Sequence, residues 1–296
     1  MSCLIDNVPK VRGELLSNAD IGSSSWFRVG GPAELLYLPA DELDLLHFMT
    51  NLKSEIPVFV IGASSNILIR DGGIRGVVIK LGSAFKEIKL LKNQLLVGAY
   101  THNMMLAKYA NNNNLFGFDF LSGIPGTIGG SIKMNAGCYG TEMSDILIKV
   151  KVVDRFKGVK EISARDLKLK YRESVLSNDS IIISAYLNLD KKTRYDGNII
   201  KNIRGKRLKS QPIGQLTGGS TFKNPPGYKV WQLIDHAGCR GLTIGGAKIS
   251  DIHTNFIINY NNATAKDIET LGNIVREKVF DTTGIRLDWE ILKVGF

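Results

Sequence analysis

Cysteine and histidine are scarce in this sequence, and neither is spaced for a disulfide framework or a metal. The 296 residues include three cysteines (Cys3, Cys138, Cys239) and four histidines (His47, His102, His236, His253). The cysteines show no paired spacing, which suits a reducing compartment. No His/Cys run has zinc-site spacing, so no structural metal is expected. Long apolar runs are missing too. Although 44% of the residues are hydrophobic, no run approaches the roughly 20 residues that cross a bilayer. The opening MSCLIDNVPKVRGEL has no charged stretch leading into an apolar one, so no secretory signal is expected. These absences point to a cytoplasmic globular protein without a membrane partner.

Signatures of the common nucleotide sites are absent as well. No lysine follows a glycine loop at P-loop spacing, and the Rossmann G-x-G-x-x-G is missing. So is the G-x-S-x-G of serine hydrolases. A net charge of +10 and a pI near 9.4 invite a nucleic-acid reading. The basic residues, however, concentrate in 191–209 and elsewhere mix with acids, with no reader motif or aromatic ladder. An enzyme whose ligands are polyanions has the same balance, so no nucleic-acid partner is expected.

Glycine, by contrast, is plentiful and gathered. Residues 123–140 read GIPGTIGGSIKMNAGCYG, and Gly123, Pro125, Gly126, Gly129 and Gly130 fall within the first eight. Such density is costly in chain entropy. With the small Thr127, Ser131 and Ala136 between them, it leaves backbone N–H groups exposed to cradle a phosphate. A tight loop that lets two strands pack is the alternative. A second loop, Gly62-Ala63-Ser64-Ser65-Asn66, follows the apolar run 57–61. Two such loops suit a large diphosphate-bearing ligand on a non-Rossmann fold.

The remaining pattern is α+β. Asp41 reads as the N-cap of a helix with Leu43, Leu45, Leu46 and Met49 on one face. Short strands are expected at 57–61, 67–69, 76–81, 95–99 and 181–189, and a helix over 101–113. Around 146–153, Ile148, Val150 and Val152 alternate with lysines as in a half-exposed strand. Residues 190–197 read as a linker. Beyond it, a helix ends near Gly238, a strand covers 256–259, and Thr264-x-x-Asp267 opens a helix carrying Ile268, Leu271, Val275 and Val279 inward. Gly284 stops that helix, and 286–292 forms a last strand. Three segments result: 1–80, 81–190 and 191–296.

Three further places carry chemistry. Arg172, in Tyr171-Arg172-Glu173-Ser174, could clamp a carboxylate bidentately or make a surface ion pair. Ser220, in Gly218-Gly219-Ser220-Thr221-Phe222-Lys223-Asn224, could hold a hydroxyl rigidly near an anionic ligand or simply sit in a turn. Glu290 beside Trp289 is either a partly desolvated carboxylate with a raised pKa or an outward-facing strand residue.

Together, Arg28-Val29-Gly30-Gly31-Pro32, the Gly62 loop with Asp71-Gly72-Gly73, residues 123–140, Tyr171-Arg172, the Ser220 block, Ile244-Gly245-Gly246-Ala247 and Glu290 resemble the UDP-N-acetylenolpyruvoylglucosamine reductase family (MurB). The resemblance implies a two-lobed FAD-binding domain of the vanillyl-alcohol-oxidase (PCMH) type, in lobes 1–80 and 81–190. A C-terminal α+β domain, 191–296, would bind the UDP-sugar. It implies that NADPH reduces FAD and that hydride then passes to the β-carbon of the enolpyruvyl group, a step of peptidoglycan synthesis. Ser220 matches the proton donor, and Arg172 and Glu290 match the residues that stabilise the enolate-like intermediate. FAD would be held by Gly62, Ala63, Ser64, Ser65, Asn66, Ser122, Gly123, Pro125, Gly126, Thr127, Gly129, Gly130, Asn135, Ala136 and Gly137. The substrate would be held by Lys223, Asn224, Arg207 and His253. Because Arg70-Asp71-Gly72-Gly73-Ile74 contains no histidine, FAD is expected to be noncovalent. The short span from Arg172 to Ser220 resembles the family type without an inserted Tyr-bearing element. A monomer is expected. Another FAD oxidoreductase of this fold, or a basic nucleic-acid-binding protein, are the competing readings.

Overall fold

The computed structural model describes residues 4–189 and 198–296; the linker expected over 190–197 and Cys3 lie outside the described residues. The first elements are β1 (Glu14–Ala19), β2 (Ala33–Leu38), α1 (Glu42–Asn51), β3 (Val58–Ile61), β4 (Ile67–Ile69), β5 (Ile74–Lys80), β6 (Ile88–Leu90) and β7 (Gln94–Gly98). Next come α2 (Asn103–Asn112), α3 (Ile128–Lys133), β8 (Gly137–Cys138), β9 (Thr141–Glu142), α4 (Met143–Ile146), β10 (Leu147–Asp154), β11 (Gly158–Ser163) and β12 (Ser180–Asn188). The chain closes with α5 (Ile199–Ser210), α6 (Val230–His236), β13 (Thr243–Ile244), β14 (Ala247–Ile249), β15 (Ile257–Asn259), α7 (Ala265–Thr283) and β16 (Leu292–Val294).

Backbone packing divides these into two units. The first holds the chain up to Asn18, Glu34–Ala63 and Gly76–Gly205. It contains a four-stranded sheet, β1-β2-β5-β3, in which β3 and β5 run parallel. It also contains an antiparallel five-stranded sheet, β11-β10-β12-β7-β6. The Asp41 carboxylate accepts the Asp44 amide (3.0 Å) and starts α1, whose Leu45, Phe48 and Met49 are buried. Leu43, expected on that face, is 70% exposed; two residues from Leu45, it lies about 200° round the helix. Val150 and Val152 point into the core as expected, but Ile148 is exposed. The register shifts between Leu147 and Lys149, and such a bulge inverts the alternation on one side of it.

The second unit joins Ala19–Ala33, Ser64–Arg75 and Lys206–Phe296. Its helix α7 is capped as the sequence predicts: Thr264 and Asp267 exchange side-chain-to-backbone bonds (both 3.0 Å). Ile268, Leu271, Val275 and Val279 are buried, and Gly284 ends the helix at φ 73°. The Asp71 carboxylate adds a second cap, accepting the amides of Ala265 (2.9 Å) and Lys266 (3.0 Å). The last strand differs from expectation. Regular pairing covers only Leu292–Val294, which runs parallel to β4 from Leu292↔Ile67 onward. Residues 286–291 contribute a single bridge, Phe222↔Trp289.

Candidate active site

In the first unit the structure brings the two glycine loops together. A Cβ placed on Gly62 would lie 2.7 Å from Thr127 Oγ1, so a bare backbone is what lets the loops meet. Thr127 is buried and caps α3, its Oγ1 accepting the Gly130 amide (3.4 Å). The sequence reading of a row of exposed amides needs correction at α3. Ile128 N–H is bonded to the Thr101 carbonyl (2.9 Å) and Gly129 N–H to that of Ala99 (2.8 Å). A Cβ on Gly129 would come within 3.1 Å of the Ala99 Cβ, so this glycine answers to packing against the end of β7. Among the described residues, no protein acceptor takes the Gly62 or Ala63 amide.

Arg172 is fastened to the far end of the central stretch. It stands in the left-handed region (φ 58°), at the corner of a tight turn closed by the Lys170↔Glu173 bridge. Non-glycine residues held there cluster at functional sites. Its Nη2 donates to the Gly137 carbonyl (3.2 Å), and its guanidinium lies 4.8 Å from the centre of the Tyr171 ring. Asn135 fixes the turn from below. Fully buried, it donates from Nδ2 to Glu142 Oε1 (2.9 Å) and to the Lys170 carbonyl (3.1 Å), and accepts the Ser144 amide at Oδ1 (2.9 Å).

Ser220 and Glu290 belong to the second unit, on neighbouring extended segments. Ser220 bridges Phe256 on one side. On the other, the amides of Glu290 and Ile291 converge on the Thr221 carbonyl (2.8 and 3.4 Å). Two successive donors on one acceptor mark a β-bulge, which re-aims side chains. Asn255, buried, pins the same segment in both directions, accepting the Phe222 amide (3.0 Å) and donating to its carbonyl (2.9 Å). Gly219 has open space where a Cβ would go, but φ 84°; its glycine serves the backbone turn that presents Ser220. Glu290 is half-buried. Its neighbour Trp289 packs on Phe222 with ring centres 5.1 Å apart.

Comparison with known proteins settles the family. A profile described as FAD binding domain matches residues 33–160, and one described as UDP-N-acetylenolpyruvoylglucosamine reductase, C-terminal domain, matches 211–294. The chain is 46% identical over 291 residues to UDP-N-acetylenolpyruvoylglucosamine reductase of Rickettsia bellii (strain RML369-C), covering 98% of this chain and 96% of that one. The corresponding protein of Azorhizobium caulinodans is 45% identical over 289 residues, 97% of this chain and 94% of that one. The crystal structure of UDP-N-acetylenolpyruvylglucosamine reductase (MurB) from Thermus caldophilus matches with TM-score 0.82 at 32% identity, covering 97% of this chain and all of that one. The chain belongs to the UDP-N-acetylenolpyruvoylglucosamine reductase family.

Membership in the reductase family makes the protein an FAD-dependent oxidoreductase with NADPH as its reductant. The first unit has features that fit the flavin's diphosphate. The amides of Gly62 and Ala63 are unspent, and Gly62 stands beside Thr127. Beside the central loop, where the Thr101 carbonyl accepts the Ile128 amide and the Asn103 amide donates to the Gly126 carbonyl, the buried Thr101 Oγ1 and Asn103 Oδ1 have no protein partner. Asn103 escaped the sequence reading, although its Nδ2 braces the central loop at the Ile124 carbonyl (3.1 Å) and Ser131 Oγ (2.7 Å). Its only signal was a polar residue at the start of the expected helix. Other expected contacts have structural duties. Ser122 Oγ donates to the Asp119 carbonyl (2.7 Å), and Asn224 Oδ1 accepts the first amide of α6, Val230 (3.0 Å). Arg207 Nε donates to Gln211 (2.9 Å), and the Lys223 amide to Asp288 (2.9 Å). His253 packs edge-on against Phe256 at 4.9 Å, and burial pushes its imidazole below the usual range, favouring the neutral form.

Proposed function

We propose that this member of the family reduces the enolpyruvyl group of UDP-N-acetylglucosamine enolpyruvate to give UDP-N-acetylmuramate, with noncovalent FAD and NADPH. The observation that carries this reading is 46% identity to a reductase across 98% of the chain. When bound, FAD supplies hydride to the substrate's β-carbon. Arg172 meets the substrate carboxylate with its planar fork, where charge grows as the β-carbon accepts hydride. Glu290 shares in stabilising that charge-shifted species. Ser220 releases its Oγ proton to the α-carbon, a much stronger base than an alkoxide.

Gly62–Ser65 and the expected residues between Ser122 and Gly137 hold the flavin, while Lys223, Asn224, Arg207 and His253 face the UDP-sugar. The two flavin lobes are 1–80 and 81–190, and 191–296 takes the sugar. The enzyme works as a cytoplasmic monomer on small molecules, without nucleic acid. The absence of histidine after Asp71 supports noncovalent attachment.

A visible spectrum of the purified protein tests this directly. Flavin absorption should bleach with anaerobic NADPH and return on adding the UDP-enolpyruvyl sugar. A flavin that the sugar fails to reoxidise would point to another substrate. A colourless protein unable to take up FAD would overturn the reading.

A further inference from the structure

Asn66 closes the first glycine loop, and its sequence position groups it with the cofactor residues. Its side chain is turned to another task. Nδ2 donates to the main-chain carbonyl of Glu290 (3.1 Å), and the Asn66 carbonyl accepts the amide of Leu292 (3.0 Å). One residue therefore brackets the Glu290–Ile291 bulge from both ends. The ladder between β4 and β16 begins only at Leu292↔Ile67, so backbone pairing alone stops short of Glu290. The carboxamide extends the hold two residues further back. Beyond the bulge, β16 is anchored by the Lys293–Glu269 ion pair (2.9 Å) and by Arg70 Nη1 on the Gly295 carbonyl (3.0 Å). The strand is thus a fixed base from which Glu290 projects.

We propose that Asn66 is a positioning residue for Glu290. Its carboxamide sets the peptide plane that follows Glu290 and so the direction in which the carboxylate leaves the backbone. The inference rests on the assignment of Glu290 to the reaction. A bulge re-aims side chains, and a hydrogen bond to the Glu290 carbonyl fixes the peptide plane on one side of its Cα. Only a side chain with a hydrogen to give can hold that carbonyl, and Asp in place of Asn has none.

The test uses flavin-loaded protein carrying Asn66→Asp, Glu290→Gln or both. FAD per chain is measured, then anaerobic reduction by NADPH and reoxidation by the UDP-enolpyruvyl sugar. Asn66→Asp should keep its flavin and its reduction rate within about twofold, while reoxidation slows about 10- to 100-fold, in kcat more than KM. The double variant should be no slower than Glu290→Gln alone. Loss of FAD, or equal slowing of both half-reactions, would make Asn66 a cofactor residue and overturn the proposal. So would slowing that multiplies fully in the double variant. If Glu290→Gln itself reoxidises normally, the assignment of Glu290 fails and takes the proposal with it. If Asn66→Asp does not fold, Asn66→Ala, which adds no charge, is judged by the same measurements.

Discussion

Adding a methyl group at Gly62 probes whether the two glycine loops lock through Thr127. The new Cβ would lie 2.7 Å from Thr127 Oγ1, whereas the next atoms, Thr127 Cβ and Cγ2, are 3.8 Å away. The hydroxyl is the whole obstacle, and Gly62 is not among the residues with positive φ, so alanine suits its backbone. To make room, Thr127 must turn and give up the Gly130 amide it caps. A lost N-cap costs about 1 kcal/mol, and crowding in a buried site about 1–3 kcal/mol more. Gly62→Ala should therefore destabilise by about 2–4 kcal/mol, and Thr127→Ala by about 1 kcal/mol. The double variant loses the obstacle and gains about 0.5 kcal/mol from a less flexible unfolded chain. It should be no less stable than Thr127→Ala. The coupling energy is then about 2.5–4.5 kcal/mol, well beyond the ~0.5 kcal/mol scatter of independent sites. Urea unfolding at a fixed excess of FAD, followed by circular dichroism, measures it; the excess matters because bound ligand adds to apparent stability. Additive losses, or a Gly62→Ala protein as stable as the parent, would refute contact through Thr127.

Three other outcomes are expected. Ser220→Ala should bleach normally with NADPH but reoxidise about 10²- to 10⁴-fold more slowly, the range for a lost general acid; equal slowing of both steps would count against a proton donor. Arg172→Lys should rescue poorly, since an ammonium cannot reproduce a planar two-pronged donor, and parental turnover would remove Arg172 from the site. Arg70 first, and Lys293 with it, hold the Glu269 carboxyl down from 4.5 to about 2 against the opposing effect of burial. A folded value below the unfolded one gives stability that is complete above pH 4.5 and lost as pH falls toward 2. Glu269→Gln should thus cost up to about 3 kcal/mol at pH 7 and almost nothing at pH 2; an unchanged acid limb in urea titrations would contradict this.

Local signals were readable because their partners are close in sequence. Thr264 and Asp267 cap α7 across three positions, and Asp41 caps α1 in the same way. The importance of residues 123–140 was visible in composition alone, but their conformation was not. Helix α3 contains Gly129 and Gly130, poor helix formers. It forms because Ile128 and Ile132 are buried and the Ile128 and Gly129 amides find carbonyls at Thr101 and Ala99. Residue types flagged Arg172, Ser220 and Glu290, while what holds them was hidden. Asn135 serves the Arg172 turn from 35 positions away and Asn255 the Phe222 segment from 33. Asn66 reaches Glu290 across 224 positions. No periodicity encodes such pairings.

That last distance bears on how the protein is made. A ribosome adding about 5–20 residues per second needs roughly 10–45 s to travel from Asn66 to Glu290. During that interval β4 has no β16 to pair with, and Asp71 has no α7 to cap. Phe27, which packs within 2.4 Å of where a Gly218 Cβ would be, waits almost as long. The second unit can therefore close only when synthesis is nearly complete. A fragment limited to 211–294 would keep the Thr264–Asp267 cap but lack both β4 and the second cap that Asp71 sets on α7, so the boundaries of a sequence family here do not mark a piece that folds alone.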